Sequence, residues 1–200
     1  MSRSDQLLKR AFDLIASAIG LVVLCPLIFF GWIAATISTR RNGFFIQERV
    51  GYQGKLFPVI KLRSMRVVEG VNTTVTSNKD VRVTRVGWWL RKLKFDELPQ
   101  LFNVLVGQMS FVGPRPDVPG FADKLTGEDR IVLSVRPGIT GPASLAFRHE
   151  EDLLATAEDP EVYNREVIWP EKVRLNREYI DQYSFWQDIK YILKTIAGQS

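Results

Sequence analysis

Two adjacent carboxylates, Asp96 and Glu97, follow a basic stretch and open an apolar segment, residues 95–107, FDELPQLFNVLVG. Within it Leu98, Leu101, Phe102 and Leu105 recur at i, i+3, i+4 and i+7. That spacing predicts a short amphipathic helix with Pro99 in its first turn and Gly107 just past its end. Both acids then stand at a helix N-terminus. One account of them is structural: Asp96 caps the helix and Glu97 complements its dipole. The other is chemical. Like charges this close repel unless a proton or a cation is shared, and Mg2+, which takes oxygen ligands and substrate phosphates, would keep both ionised. An aspartate is also a nucleophile toward phosphorus, through an acyl phosphate. Lys61, Arg63, Arg91 and Lys94 are cations able to carry the charge of a diphosphate. Downstream, Arg115 lies between Pro114 and Pro116, which fix the backbone and aim a guanidinium fork that matches phosphate. The alternative there is a rigid turn with a solvated arginine. Arg136 opens a second glycine–proline segment, RPGITGP, in which Pro137-Gly138 suits a type II turn.

Composition narrows the partners. The chain has 200 residues, one cysteine and one histidine, so an internal disulfide, a Cys/His zinc site and a Cys–His nucleophile are excluded. Twenty-seven basic against 22 acidic residues give +5, which favours an anionic partner: nucleic acid, a phosphorylated small molecule or a membrane surface.

The elements that position these groups begin with an uncharged run of 24 residues, 14–37. A straight helix of that length reaches about 36 Å, enough for a hydrocarbon core of about 30 Å. It exceeds the usual signal-peptide core and is followed by Arg40 and Arg41. Cys25-Pro26 divides the run into two arms of about 18 Å each, and basic residues flank both ends. A helix–break–helix that re-enters the face it left and a kinked spanning helix both fit, with Ser17 or Thr36 hydroxyls available to satisfy carbonyls freed at the break. Residues 44–50 and 55–62 read as two strands around a glycine-bounded turn, with Pro58 at an edge and Lys61 and Arg63 on one face; residues 67–80 read as a surface loop. Residues 82–94 interleave basic residues with Trp88-Trp89, which suits a nucleic-acid patch or a helix at headgroup level; the upstream apolar run favours the membrane. Near the C-terminus Leu175, Tyr179, Tyr183, Trp186, Ile189, Leu193 and Ile196 keep the spacing of one helical face, for a core or membrane-surface helix. The expected fold is a mixed, helix-rich α/β arrangement: a membrane hairpin over residues 1–41 and a catalytic unit with a short β-hairpin and interfacial helices over 42–200.

Four ordered motifs, KLRSM (61–65), TRVGWWLR (84–91), DELPQLFNVLVGQMSFVGPRP (96–116) and RPGITG (136–141), together with the apolar N-terminal run and the SFWQDIKYILKTI ending, closely resemble the bacterial monotopic phosphoglycosyl transferases. The resemblance implies transfer of a sugar-1-phosphate from a UDP-sugar to polyprenyl phosphate, with release of UMP, on the cytoplasmic face of the bacterial inner membrane. It implies Asp96 as the nucleophile that becomes covalently phosphosugar-bound, Glu97 as its Mg2+-associated partner, Arg115 as the phosphate-holding arginine, Lys61 as a basic residue near the site, and Pro26 as the hairpin break. The candidate phosphate-binding set is therefore Arg115, Lys61, Arg63 and Arg136, and the candidate metal ligands are Asp96 and Glu97. Membrane phospholipid and later glycosyl transferases are implied partners; nucleic acid is not. Cys25-Pro26 stands where relatives have Ser-Pro, Lys94-Phe95 replaces a Ser-Leu, Pro142-Ala143-Ser144 follows RPGITG in place of L-A-Q or W-A-Q, and the acidic segment 148–170 matches no motif. The resemblance implies a minimal member, expected to lack the additional N-terminal membrane helices of larger ones. The competing classes are a membrane-anchored nucleic-acid-binding module and a catalytically silent scaffold.

Overall fold

The apolar run lies within a 37-residue helix, α1 (Arg3–Thr39), which Ser2 and Asp5 start with a reciprocal capping box. In the computed structural model, which describes residues 1–68 and 80–198, most of the expected loop at 67–80 falls outside the described residues. The helix is long and apolar enough to cross a membrane. Of the two readings of Cys25-Pro26, a separation into two helices is not formed: Pro26 sits inside one helix, because a proline removes a single donor and a membrane helix can absorb that locally. Ser17 and Thr36 do not serve it either, since their hydroxyls donate to Leu14 O and Thr36's neighbour one turn back, Trp32 O.

Both arms of α1 dock on the rest of the chain while the middle is bare. In the N-terminal arm Lys9, Asp13 and Ser17, spaced by four, are buried, and Gly20 lies against Leu101. In the C-terminal arm a Cβ on Gly31 would come within 2.7 Å of Leu62, and Ala35 packs with Leu62 and Leu90. Between them Val22, Val23, Phe29 and Phe30 are exposed.

After α1 come antiparallel strands β1 (Phe44–Val50) and β2 (Leu56–Leu62), with Phe44 opposite Leu62 and Phe45 opposite Lys61. Helix α2 (Arg85–Lys92) is N-capped by Thr84, and its Gly87 has no Cβ because one would strike the Ser64 carbonyl; KLRSM and TRVG thus interlock. A 3-10 turn, Phe95–Glu97, precedes α3 (Gln100–Leu105), which ends with Gly107 at a positive φ as expected. A short parallel pair follows, β3 (Ser110–Val112) and β4 (Gly138–Thr140). Gly138 belongs to this strand and its φ is not positive, so the type II turn is not formed. The glycine has another cause: a Cβ on Gly138 or Gly141 would collide with the Gly113 backbone. VGPRP and RPGITG therefore meet backbone to backbone, which aims Arg115.

The remainder is helical: α4 (Pro142–Ala146), α5 (Glu150–Thr156), α6 (Pro160–Tyr163), α7 (Trp169–Asp181) and α8 (Phe185–Ala197). The single C-terminal face expected from spacing is two helices, broken at Gln182–Ser184. Tyr179 is buried in the core, whereas Trp186, Leu193 and Ile196 are exposed. The break lets Asp188 turn inward, where Lys9 pairs with it and Tyr179 and Tyr183 donate to it; Asp13 accepts from Ser110 Oγ and Phe111 N, both at 3.1 Å. These buried bonds fasten α1 to α8 and β3. Removing one partner of a buried ion pair typically costs about 3–5 kcal/mol, while an apolar pair of similar volume is tolerated. Lys9→Met is expected to lower the Tm in detergent, followed by circular dichroism, far more than the double variant Lys9→Met/Asp188→Leu; equal losses would show that the pair does not fasten the helix.

Candidate active site

Lys94 takes a left-handed backbone conformation (φ 57°), rare for a residue with a side chain, and turns the chain sharply after α2. Phe95 then packs against the Ala35–Leu62–Leu90 cluster, and the two acids that follow are held beside β2. The distance from α3 to β2 is set by Asn103. Its amide nitrogen donates to Pro58 O (2.7 Å) and Gln108 Oε1 (2.7 Å), and its oxygen accepts from Ile60 N (3.2 Å). The far end of α3 is held by α1, where Arg10 donates to Val104 O (2.7 Å), which also accepts from Gly107 N, and to Leu105 O (2.8 Å), among the last carbonyls of the helix.

The two acids have different fates. Glu97, buried, accepts from Lys61 Nζ at 3.2 Å and pairs with both terminal nitrogens of Arg115. Burial alone would raise its pKa, but the charges of Arg115 and Lys61 outweigh burial and hold it well below the usual carboxylate range. Among the described residues Asp96 has no such partner. It makes no capping hydrogen bond, so the structural account of it as N-cap does not hold, and its Oδ1 is buried with nothing to accept from. Burial first, and then the charge of Glu97, push its pKa up to about 6, against the pull of Lys61, Lys94 and Arg91. Burial also lowers the pKa of Lys61. The Arg115 side chain keeps 41% of its surface exposed, so it stays open to an incoming anion while tied to Glu97.

Lys61, Asp96, Glu97 and Arg115 are thus brought together. Arg63 and Arg136 are not among them. Arg63 donates to Asn42 O (2.7 Å) and Phe44 O (3.1 Å), holding the chain where it leaves α1; Arg136 donates to Gly107 O (2.8 Å) and faces the Tyr52 ring. No group of three or more metal-ligating side chains gathers among the described residues. The fit to Mg2+ is two carboxylates, with the unpaired Asp96 oxygen the available ligand; Mg2+ commonly binds through one or two carboxylates plus substrate phosphates and water.

A second charged group adjoins this one. Arg49 bonds Gln47 and Pro116 O; Asp117 feels Lys172, Arg49, Arg115 and Glu150, yet burial pushes its pKa up to about 6; Lys172 pairs with Glu150 at 2.7 Å. Glu150 brings the acidic segment to the edge of the site. Sequence reasoning passed over Asn103, Arg49 and Asp117. Asn103 stands off the Leu98–Leu101–Phe102–Leu105 stripe and nothing local marks any of the three, because α3 buries Gln100, Asn103 and Val104 and leaves Phe102 exposed.

A carboxylate oxygen buried without a donor and flanked by cations is an arrangement able to engage a phosphoryl group. The chain belongs to the bacterial sugar transferase family, whose profile matches residues 4–199. It is 41% identical, over 100% of its length and 37% of the relative's, to "Undecaprenyl-phosphate glucose phosphotransferase" of Komagataeibacter xylinus. It is 37% identical to "UDP-glucose:undecaprenyl-phosphate glucose-1-phosphate transferase" of Escherichia coli K12, over 98% and 41%. It is 34% identical to "UDP-N-acetylgalactosamine-undecaprenyl-phosphate N-acetylgalactosaminephosphotransferase" of Aeromonas hydrophila, over 94% and 43%. The chain spans about two fifths of the length of these relatives.

The raised Asp96 pKa has a sign for stability. A carboxyl whose folded pKa exceeds its unfolded value of about 3.9 contributes stability below that value and loses it as pH rises through about 6. Asp96→Asn is therefore expected to unfold at a higher temperature than the parent at pH 8, with the difference shrinking toward pH 4. A Tm difference independent of pH would remove the raised pKa.

Proposed function

We propose that the protein transfers a sugar-1-phosphate from a UDP-sugar to a polyprenyl phosphate, as the names of its relatives describe for them. The observation that carries the chemistry is the orphaned Asp96 oxygen beside a Glu97 already neutralised by Lys61 and Arg115. Ionised Asp96 attacks the phosphorus that bears the sugar; the bond from that phosphorus to the bridging oxygen breaks and UMP leaves. The polyprenyl phosphate oxygen then attacks the same phosphorus, forms the diphosphate and frees the Asp96 carboxylate. Arg115 and Lys61 carry phosphate charge in both steps, in a setting where transfer depends mainly on positioning and neutralisation. Asp96 and Glu97 would hold Mg2+, which supplies further neutralisation of the phosphoryl oxygens. Arg63 and Arg136 act on the site through the backbone they hold.

The same reading places α1 at the cytoplasmic face of a bacterial inner membrane, its bare middle in lipid and both ends on one side, with Pro26 kinking the helix rather than breaking it. Support comes from the docking of both arms on one body with a bare apolar middle, and from basic residues at both ends. A lipid acceptor then meets the carboxylates at headgroup depth.

The test incubates purified protein with Mg2+, a polyprenyl phosphate and a panel of UDP-sugars, scoring UMP. Asp96→Asn is expected to lose turnover by about 10³-fold or more while remaining folded and membrane-bound; parental turnover in that variant contradicts the assignment. The parent's rate is expected to rise with pH through about 6 as Asp96 ionises. Glu97→Gln, by removing the neighbouring negative charge, is expected to move that limb to lower pH even as it slows the reaction, and a limb that stays put would assign it to another group.

A further inference from the structure

Where α1 leaves its apolar run, arginines gather, and no acid lines the cavity with them among the described residues. Arg40 ends the helix in a left-handed conformation, its N–H on Thr36 O, and Arg41 follows; both are exposed. Arg66 reaches them from the segment after β2. Its Nε donates to Ser38 O at 2.9 Å and its backbone N–H to Arg82 O at 2.8 Å. With Thr39 and Val67, these three arginines line an open cavity of about 470 Å³. Arg66 also borders an adjoining cleft of about 350 Å³, lined in part by Arg85. Among the described residues no carboxylate pairs with Arg40, Arg41, Arg66 or Arg85, and Asp80 is held by Arg82 at 2.6 Å. The charge of Arg41 bears on Arg63 as well. Like charges gathered this way are unfavourable until an anion joins them.

The cavity has a depth. Ile37, the last residue of the apolar run, is exposed; α2 packs on the same arm through Leu90 and turns Trp88 and Trp89 outward, with Lys92 over the Trp88 ring at 4.6 Å. Exposed tryptophans with basic neighbours are favoured at the headgroup layer. The cations acting on Asp96 and Glu97 are Lys61, Lys94, Arg91 and Arg115, none of which lines the cavity.

We propose that Arg40, Arg41 and Arg66 form a binding site for the phosphodiester of an anionic glycerophospholipid, seated at the C-terminal end of α1. The proposal rests on the reading above that the apolar surface of α1 lies in lipid. Guanidinium forks match phosphate oxygens bidentately, and the Ser38 contact holds Arg66 in place before a ligand arrives. Uncompensated positive charge selects an anionic headgroup over a zwitterionic one.

The test titrates the full chain in neutral detergent with dihexanoyl-phosphatidylglycerol, counting bound molecules by native mass spectrometry. Dihexanoyl-phosphatidylcholine, inorganic phosphate and geranyl phosphate are offered as competitors. One phosphatidylglycerol is expected to bind saturably and to resist all three. Arg66→Lys, which keeps the charge but loses the fork, is expected to weaken binding about tenfold, and Arg40→Gln/Arg41→Gln by about tenfold to thirtyfold. Arg3→Gln/Lys55→Gln, the same loss of charge elsewhere, is expected to leave it unchanged. An unaffected Arg66→Lys, or a control double variant as weak as Arg40→Gln/Arg41→Gln, would reduce the site to diffuse attraction. Displacement by geranyl phosphate or inorganic phosphate would assign it to a phosphate monoester and overturn the proposal. Sedimentation with phosphatidylcholine vesicles separates the two readings: if the parent fails to partition, the placement of α1 in lipid falls; if the variants partition like the parent, only the headgroup site is at issue.

Discussion

The Glu97 carboxylate, shared between Lys61 and Arg115, is the interaction on which the rest of the site depends. Two adjacent acids in a partly dry pocket would ordinarily compete for one proton. Here the cations settle the competition by taking Glu97, and Asp96 is left with an oxygen that nothing satisfies. An unpaired buried polar group costs about 1–3 kcal/mol, more when charged. The scaffold offsets that cost with contacts elsewhere: the Asn103 clamp on β2, the glycine-to-glycine crossing beneath Arg115, and the Arg10 cap on α3.

That last contact ties the apolar helix to the chemistry. The chain that carries the bare hydrophobic surface of α1 also grips the helix whose start holds the carboxylates, and it is itself gripped by Asp188 and Ser110. Placement of the apolar helix and placement of the carboxylates are therefore one structural event. On the proposed reading this suits a reaction whose two substrates come from different phases, because a site at headgroup depth serves a soluble donor and a lipid acceptor in turn.

Much of this was legible in the residues. The β-hairpin, the helix through Leu101 and Leu105, and the glycine that ends it follow from alternation, 3.6-residue spacing and backbone freedom, all of which are local. The pairing of Asp96, Glu97, Lys61 and Arg115 was approached through charge type. What failed was non-local. Arg63 and Arg136 have the right charge, but carbonyls brought near by the fold hold them. Pro26 reads as a break or a kink from sequence because propensity is blind to how a long helix distributes one lost bond. The tyrosine and leucine periodicity ran across Gln182–Ser184 because two consecutive helices can keep phase by coincidence, and the inward turn of Asp188 depends on Lys9, 179 residues away. The glycines of VGPRP and RPGITG read locally as turn residues, whereas their cause is the contact between two strands distant in sequence.

The central claim is that Asp96 carries the phosphosugar between donor and acceptor. The most direct measurement mixes the protein with its UDP-sugar and Mg2+ but no acceptor, quenches in acid, and determines the intact mass and the modified peptide. The account predicts a single sugar-phosphate adduct on the peptide containing Asp96, formed with stoichiometric UMP and discharged by polyprenyl phosphate. UMP release that occurs only when acceptor is present, with no adduct at any time, would contradict it.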